Sequence, residues 1–402
     1  MADNEEKLVR MLKYVSEHND FYKNRIKEYG ITNPLDITQW PVLTRKELQD
    51  NRYNMFSDGY KSKYLCHQLK RTTSSGTSGV PVNVYWDKID YLMSMLPLWR
   101  KRKEWYGISP KDKKVAFTLR YSNQVNNLDH LVCLEDEYQL LINASSLASE
   151  SAYNIAIKRI LNFEPKWIYV QPFILEQLIF YYKKNDLTYP KCLEHIDSVG
   201  EVLTYRLKKE ATDYFNVPVS NLYGSEEQGG MAYECPNGKM HIIVDNVYVE
   251  KGAIITNINN HAFPLIRYDQ GDKINLVECS ELCTCGDNSP YISSIEGRTR
   301  QFFSVSETII NSYSLSETID NVNNQFNGMV TNFSFDYFVN SKLLKCYITI
   351  RPENADWTEI ITFEIKKALS QKLPVDKGLH INVIQQINNM PTKKVSNPNN
   401  NK

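Results

Sequence analysis

The sequence predicts an α/β protein in two parts: a large N-terminal domain of mixed sheets and helices, then a small α+β domain. Three observations carry this. Strand-like apolar runs alternate with helical ones from about residue 83 to 300. After Arg300 the pattern changes to two strictly alternating runs and a helical one. The chain has 402 residues, more than one compact core usually spans.

In chain order, residues 5–29 read as one helix, with Leu8, Leu12, Val15 and Tyr22 on its apolar side and Gly30 as its stop. Pro34 and Pro41 mark an irregular connection. A short helix follows from Thr44, where Glu47 three residues on completes a capping box. Val115-Ala116-Phe117-Thr118 and Trp167-Ile168-Tyr169-Val170 read as strands, each followed by a helix, around 149–162 and 174–184. Ligands in such sheets bind beyond the carboxyl ends of the strands. Past Arg300, a helix around 314–324 precedes Phe333/Phe335/Tyr337 and Leu344/Cys346/Ile348/Ile350, each at period two. Trp357, Ile361, Ile365 and Ala368 recur at helical spacing, and Leu379, Ile381 and Val383 form a last half-buried strand. This α-β-β-α-β unit sets expected domains of 1–300 and 301–402, with a disordered tail from Asn397.

Composition excludes several classes. Lys+Arg and Asp+Glu are equal at 47 each, so no net field favours nucleic acid or an anionic membrane. The acidic start, Met1 to Glu6, has no apolar run behind it, and no stretch approaches the length of a membrane span. A soluble cytoplasmic protein is expected. Cys66, Cys133, Cys192 and Cys346 lie scattered in apolar or mixed surroundings, where buried reduced thiols are expected. Cys235, Cys279, Cys283 and Cys285 cluster late in the chain, which favours a metal over a disulfide framework.

The stretch Thr72-Thr73-Ser74-Ser75-Gly76-Thr77-Ser78-Gly79-Val80-Pro81 is rich in hydroxyls, and its glycines let backbone N–H groups approach a ligand. It suits phosphate oxygens, yet it is no Walker A loop, because no Lys-Ser/Thr pair follows the second glycine. Alone, such a cluster is more often a solvated loop. Four more segments accompany it: Asp197-Ser198-Val199-Gly200-Glu201, Tyr223-Gly224-Ser225-Glu226-Glu227, Arg267-Tyr268-Asp269-Gln270-Gly271-Asp272 and Glu296-Gly297-Arg298. Each alone is a turn glycine beside surface charges.

In this order and at these separations the segments resemble the adenylate-forming superfamily. The match is to the branch that holds phenylacetate–CoA ligases and the capsule-biosynthesis and coenzyme F420-adenylating proteins, and it covers nearly the whole chain. The resemblance implies that a small carboxylic acid attacks the α-phosphate of ATP, leaving an acyl-adenylate and pyrophosphate. Positioning and electrostatic stabilisation dominate such chemistry. The Ser74, Ser75, Gly76, Thr77, Ser78 and Gly79 loop would hold the β- and γ-phosphates, and Glu227 would ligate Mg²⁺. Tyr223 and Gly224 with Gly200 and Glu201 would line the adenine slot, Ser225 and Glu226 would face the phosphates, and Asp272 would accept from both ribose hydroxyls. Arg267 and Arg298 would bind ribose or phosphate, with surface ion pairs as the other reading.

Two positions depart from the family. Glu226 stands where many relatives have Ser or Thr, and Met390-Pro391-Thr392-Lys393-Lys394 lacks the glycine that precedes the catalytic lysine. Lys394 is the first choice for that role and Lys393 the second, against an ordinary solvated pair. The small mobile C-terminal domain would carry the lysine, with a pivot near Thr299 to Gln301.

Cys283-Thr284-Cys285-Gly286 is a compact knuckle that can bind one tetrahedral Zn²⁺ if two ligands arrive from elsewhere. Cys235 and His241 are the natural partners in a closed, structural Cys₃His site, with Cys279 or His261 as substitutes. Four reduced thiols without metal are the alternative. The capsule-biosynthesis branch shows a similar arrangement. The acyl acceptor would be coenzyme A, a carrier-protein thiol or an amine. Segments around Arg120-Tyr121-Ser122-Asn123 and Tyr169-Val170-Gln171-Pro172 are compatible with an aryl acid. Two other functions stay open: AMP transfer onto a hydroxyl acceptor, and a non-catalytic nucleotide-binding protein.

Overall fold

In the computed structural model, Asn19 breaks the first expected helix in two. Helices Ala2–His18 and Asp20–Glu28 replace the single helix over 5–29. Asn19 is fully buried with an extended backbone. Its Oδ1 caps the second helix through the Tyr22 N–H, while Nδ2 donates to the Met55 carbonyl at 2.8 Å and Ser57 Oγ at 3.1 Å. A side chain with three partners outside the first helix outweighs continued winding. The structure describes residues 2–73, 82–118, 131–147, 150–279, 282–298, 302–305, 308–326, 329–338, 341–350, 352–373, 375, 378–385 and 394–396.

The chain divides into two units, Met1–Asp112 with Lys166–Pro172 and Leu193–Ile295, and Lys113–Pro165 with Phe173–Cys192 and Glu296–Lys402. In the first, parallel strands Trp167–Val170, His195–Val199 and Val219–Ser225 lie side by side. Gly229–Glu234 and Met240–Ile242 continue the sheet antiparallel, followed by Tyr291–Arg298 and Asp272–Val277. The run of buried Ile and Val in the parallel strands is what a sheet covered on both faces requires. A second sheet holds Val247–Glu250, Ile254–Asn257 and Tyr268–Asp269.

The N-terminal helices pack onto this unit. Leu8, Met11, Leu12, Val15 and Tyr22 share one core with Phe263, Leu265, Ile266 and Tyr268. The capping box at Thr44 forms as expected and opens the helix Arg45–Asp50. Glu47 also pairs with the nearly sealed Arg25 at 2.6 Å. Burial would raise the Glu47 carboxyl, but Thr44 and Arg25 hold it below its ordinary value.

In the second unit, Lys114–Thr118 pairs parallel with Gln139–Asn143, which pairs antiparallel with Val132–Glu135. Helices Glu150–Phe163 and Pro172–Lys184 stand where expected. The C-terminal elements follow the expected α-β-β-α-β order: Ser312–Gln325, Val330–Phe338, Leu343–Ile350, Thr358–Lys372 and His380–Gln385. A strand Lys394–Ser396 adds to Val330–Phe338 in parallel. Their core includes Phe333, Phe335, Tyr337, Leu344, Cys346 and Ile348, so period two sorted the faces correctly.

The scattered cysteines differ from expectation. Cys346 is buried, but Cys66 and Cys192 are exposed and Cys133 is half-buried. Cys66 sits at the C-terminal cap of the helix Tyr60–Leu65, so apolar neighbours in sequence did not place it in a core. Among the described residues no helix is long and apolar enough to cross a membrane.

Candidate nucleotide and metal sites

Two neighbouring parallel strands end at the candidate site. His195–Val199 runs into Gly200, whose φ of +85° only glycine adopts cheaply. Val219–Ser225 turns back at once into Gly229–Glu234, and this tight turn carries Tyr223 to Glu227. Its geometry is over-determined. A Cβ on Gly224 would lie 2.7 Å from the Gly229 carbonyl oxygen. Ser225 Oγ accepts from the Gln228 N–H at 3.1 Å. The Gln228 carbonyl accepts from Asn246 Nδ2 at 3.3 Å and Asn257 Nδ2 at 3.1 Å.

Thr72 joins two sequence-distant segments. Its hydroxyl donates to the Glu226 carbonyl at 2.7 Å, so the strand Lys70–Thr73 enters the Ser/Thr/Gly loop beside this turn. Ser74 to Gly79 themselves lie outside the described residues, as does Arg120 to Asn123. Glu227 is 4% exposed with Arg45 Nη1 at 3.7 Å, whereas Glu226 is exposed and Glu201 half-buried. Tyr223 donates its hydroxyl to Asp272 Oδ2 at 2.6 Å. That bond brings the second and third motifs together, from different strands, with Asp272 buried to 9%.

Arg267 is placed otherwise than a ligand-binding arginine. Its Nε and Nη2 bond both Glu250 oxygens at 3.0 and 2.9 Å, and Nη1 donates to the Trp40 carbonyl. The ion-pair reading is the one the geometry shows, and it fixes the segment before Asp272. Arg298 falls in the strand Tyr291–Arg298 and Lys394 opens Lys394–Ser396, but their side chains lie outside the described residues, as does Lys393.

Sequence reasoning missed a buried polar network under the parallel strands. Arg102, from the helix Lys88–Tyr106, donates to Asp197 Oδ2 at 2.7 Å. Ser220 and Tyr233 hydroxyls donate to Asp197 Oδ1 at 2.7 and 2.6 Å, and His195 Nε2 lies 2.6 Å from the same oxygen. Burial would raise the Asp197 carboxyl, but Arg102 above all, with His195 and Tyr233, holds it well below the carboxylate range. One signal existed: His195, Asp197 and Ser198 put three polar side chains into a five-residue strand of a parallel sheet.

The metal-site residues come together. One ligand atom each from Cys235, His241, Cys283 and Cys285 lie within 4.8 Å of one another. A hairpin turning at Gly238 brings Cys235 and His241 side by side, and Gly286 at φ +88° closes the Cys283–Cys285 turn. His241 Nδ1 lies 3.0 Å from the Ser289 carbonyl, which leaves Nε2, 3.5 Å from Cys285 Sγ, facing the thiols. Orientation of a ligating imidazole by its other nitrogen is what a metal site requires. The Cys285 N–H is the main pull on the Cys283 thiol, brought down to about 6, whereas burial pushes Cys285 up to about 12. Burial opposes a charged His241, but the Cys235 and Cys283 thiols push it up to about 9. This donor set fits Zn²⁺. Neither proposed substitute joins it: Cys279 lies outside the group, and His261 bonds Asp90 instead at 3.3 Å.

No family model matches the chain. It is 23% identical to Protein CapK of Staphylococcus aureus over 289 residues, 65% of this chain and 60% of that one. It is 23% identical to phenylacetate-coenzyme A ligase of Thermus thermophilus over 322 residues, 73% of this chain and 69% of that one. The matched part of CapK is thus less than two thirds of its length. Among solved structures, 2-hydroxyisobutyryl-CoA ligase in its postadenylation state superposes with a TM-score of 0.72 at 16% identity, over 99% of this chain and 89% of that one. The same enzyme in its thioesterification state gives 0.60 at 15% identity, over 98% and 89%. An anthranilate CoA ligase gives 0.53 at 14% identity, over 81% and 65%. The chain has the adenylate-forming ligase fold and resembles in sequence the branch that contains phenylacetate–coenzyme A ligase and CapK.

Proposed function

We propose that this protein activates a small carboxylic acid with ATP and passes the acyl group to a thiol, foremost that of coenzyme A. One observation carries the reading: Thr72, the Tyr223–Glu227 turn and Asp272, far apart in sequence, are joined by side-chain hydrogen bonds. The acid's carboxylate oxygen attacks the α-phosphorus, and the bond to pyrophosphate breaks with its electron pair. The thiol sulfur then attacks the acyl carbon and AMP leaves. Tyr223 would offer its ring to adenine while its hydroxyl holds Asp272 in line to accept from the ribose. Ser74 to Gly79 would grip the outer phosphates. Glu227, nearly sealed, would hold a magnesium ion that neutralises phosphate charge. Glu226 is exposed, and its carbonyl accepts from the Thr72 hydroxyl.

The likeness to two CoA ligases supports coenzyme A as acceptor, ahead of a carrier protein or an amine. Residues 1–300 would form the adenylation domain and 301–402 the small domain that delivers Lys394. Cys235, His241, Cys283 and Cys285 would hold a structural Zn²⁺ bracing the loop that ends at Ser289. A cytoplasmic location suits a chain whose eight cysteines form no disulfide. ATP–pyrophosphate exchange with a panel of acids tests the reading. Exchange with at least one acid is expected, and none with any acid would leave a binding protein. A stable AMP adduct in product mass spectra would instead indicate transfer to a hydroxyl.

A further inference from the structure

Arg102 carries a full charge into the protein with little of its fork spent. Its side chain is 3% exposed and Asp197 is sealed. Nε and Nη2 both bond Asp197 Oδ2 at 2.7 Å, and Asp197 cannot swing away because Ser220, Tyr233 and His195 hold its other oxygen. A guanidinium presents five donors in one plane. Among the described residues, Nη1 has no hydrogen-bond partner. Nη1 is not sealed from the surface, so an acceptor from outside can reach it.

The surroundings say what that is. Four rings lie around the guanidinium: Trp99 at 4.6 Å, Trp167 at 5.0 Å, Tyr169 at 5.8 Å and Tyr233 at 6.0 Å. Trp167 and Tyr233 are sealed, whereas Trp99 and Tyr169 are half-buried, so the cage is open between these two. Tyr169 leads towards the candidate nucleotide site. Burial pushes its hydroxyl up to about 12, Arg102 opposes this, and Glu226 in the Tyr223–Glu227 turn adds to it. Two residues on, the Gln171 Cγ lies 3.8 Å from where a Cβ on Gly200 would stand, at the end of the next strand.

We propose that Arg102 selects the acid: Nη1 donates to a neutral acceptor, such as a hydroxyl, ether or carbonyl oxygen, carried by the acid besides its reacting carboxylate. The acid's apolar part would lie between Trp99 and Tyr169, where flat aryl rings stack well. The charge balance excludes a second carboxylate. Asp197 already neutralises Arg102, and another buried anion would be unpaired. This rests on the adenylation reading and deepens it.

The test uses the full chain with benzoate, its three monohydroxy isomers, its three phthalate counterparts, phenylacetate and the hydroxyphenylacetates. Exchange rates and calorimetric binding are both measured. The best hydroxylated acid should exceed its parent about tenfold to a hundredfold, the range of one hydrogen bond to a charged group. Phthalates should be poorer than their parent. In Arg102→Met/Asp197→Asn, which leaves no lone buried charge, the ratio should fall to about one, whatever the absolute rates. Arg102→Lys, which keeps the charge but loses the planar fork, should lower it too.

An unchanged ratio in both variants, or a wild type that prefers the parent or the phthalates, overturns the assignment. Exchange with no acid, alongside hydroxyl-dependent binding lost in the variants, refutes adenylation alone and upholds Arg102. Neither exchange nor binding of any acid in the panel overturns both.

Discussion

Replacing Gly224 with alanine should damage catalysis as well as stability. The new Cβ would lie 2.7 Å from the Gly229 carbonyl oxygen and 3.4 Å from Gly230 Cα. Both atoms are main chain in the paired hairpin, where Gly224 faces Gly230 and Ser225 faces Gly229, so no side-chain rotation relieves the clash. Ordinary contact needs roughly 0.7 Å of retreat. That movement falls on the turn that presents Glu227 and ties Thr72 through the Glu226 carbonyl. Overpacking of this size costs about 1–3 kcal/mol. A misplacement near 1 Å costs about a hundredfold in rate, so one of this size should cost at least about tenfold in exchange. Gly252→Ala is the control. Its φ is +80° with open space around it, so it should lose comparable stability and keep its exchange rate. Thermal melts paired with ATP–pyrophosphate exchange separate the two. Equal exchange in both variants would refute the placement of this turn at the phosphates.

Asp272→Ala and Glu227→Ala should each abolish exchange, while Lys394→Ala should impair adenylation only; wild-type exchange without Asp272 would sink the nucleotide assignment. Metal analysis should find about one zinc per chain, and Cys283→Ser should lower both that content and the melting temperature. Metal-free protein from a careful preparation would remove the claim. The Asp197 carboxyl is depressed in the folded state, so its contribution is complete above the unfolded pKa of about 3.9 and is lost as pH falls below it. Denaturant unfolding should therefore show an acid limb below about pH 4 that Arg102→Met/Asp197→Asn flattens; an identical limb in the variant counts against it. Phe335→Ala empties a fully buried site in the C-terminal core and should cost about 3–5 kcal/mol there, read by hydrogen exchange over 315–383.

What the sequence made legible was local or periodic. The Thr44 capping box and the alternation at Phe333–Tyr337 each depend on residues a few positions apart, and both stand as read. Cys235 and His241 were found with Cys283 and Cys285 because ligand chemistry narrows the partners. The misses share a different cause. Asn19 breaks a helix through Met55 and Ser57, and Arg102 finds Asp197 ninety-five residues on, which no local window contains. Arg267 looked poised for a phosphate because the motif says nothing of Glu250 lying opposite it. Cys66 and Cys192 looked buried because their neighbours were apolar, although exposure is set by what packs over them.

The helices that begin the chain have a consequence for synthesis. Their apolar faces close against Phe263 to Tyr268, and Leu43 exchanges backbone bonds with Arg267 and Asp269. At ribosomal speeds of about 5–20 residues per second, the first helix emerges roughly ten to fifty seconds before its cover. During that interval Leu8, Leu12 and Val15 have no native partner from the middle of the chain. Contacts of such long sequence separation are also slow to find. The unit that holds the nucleotide motifs is therefore one whose birth favours holdase chaperones, and whose nascent fragments ending before about residue 270 should aggregate rather than fold.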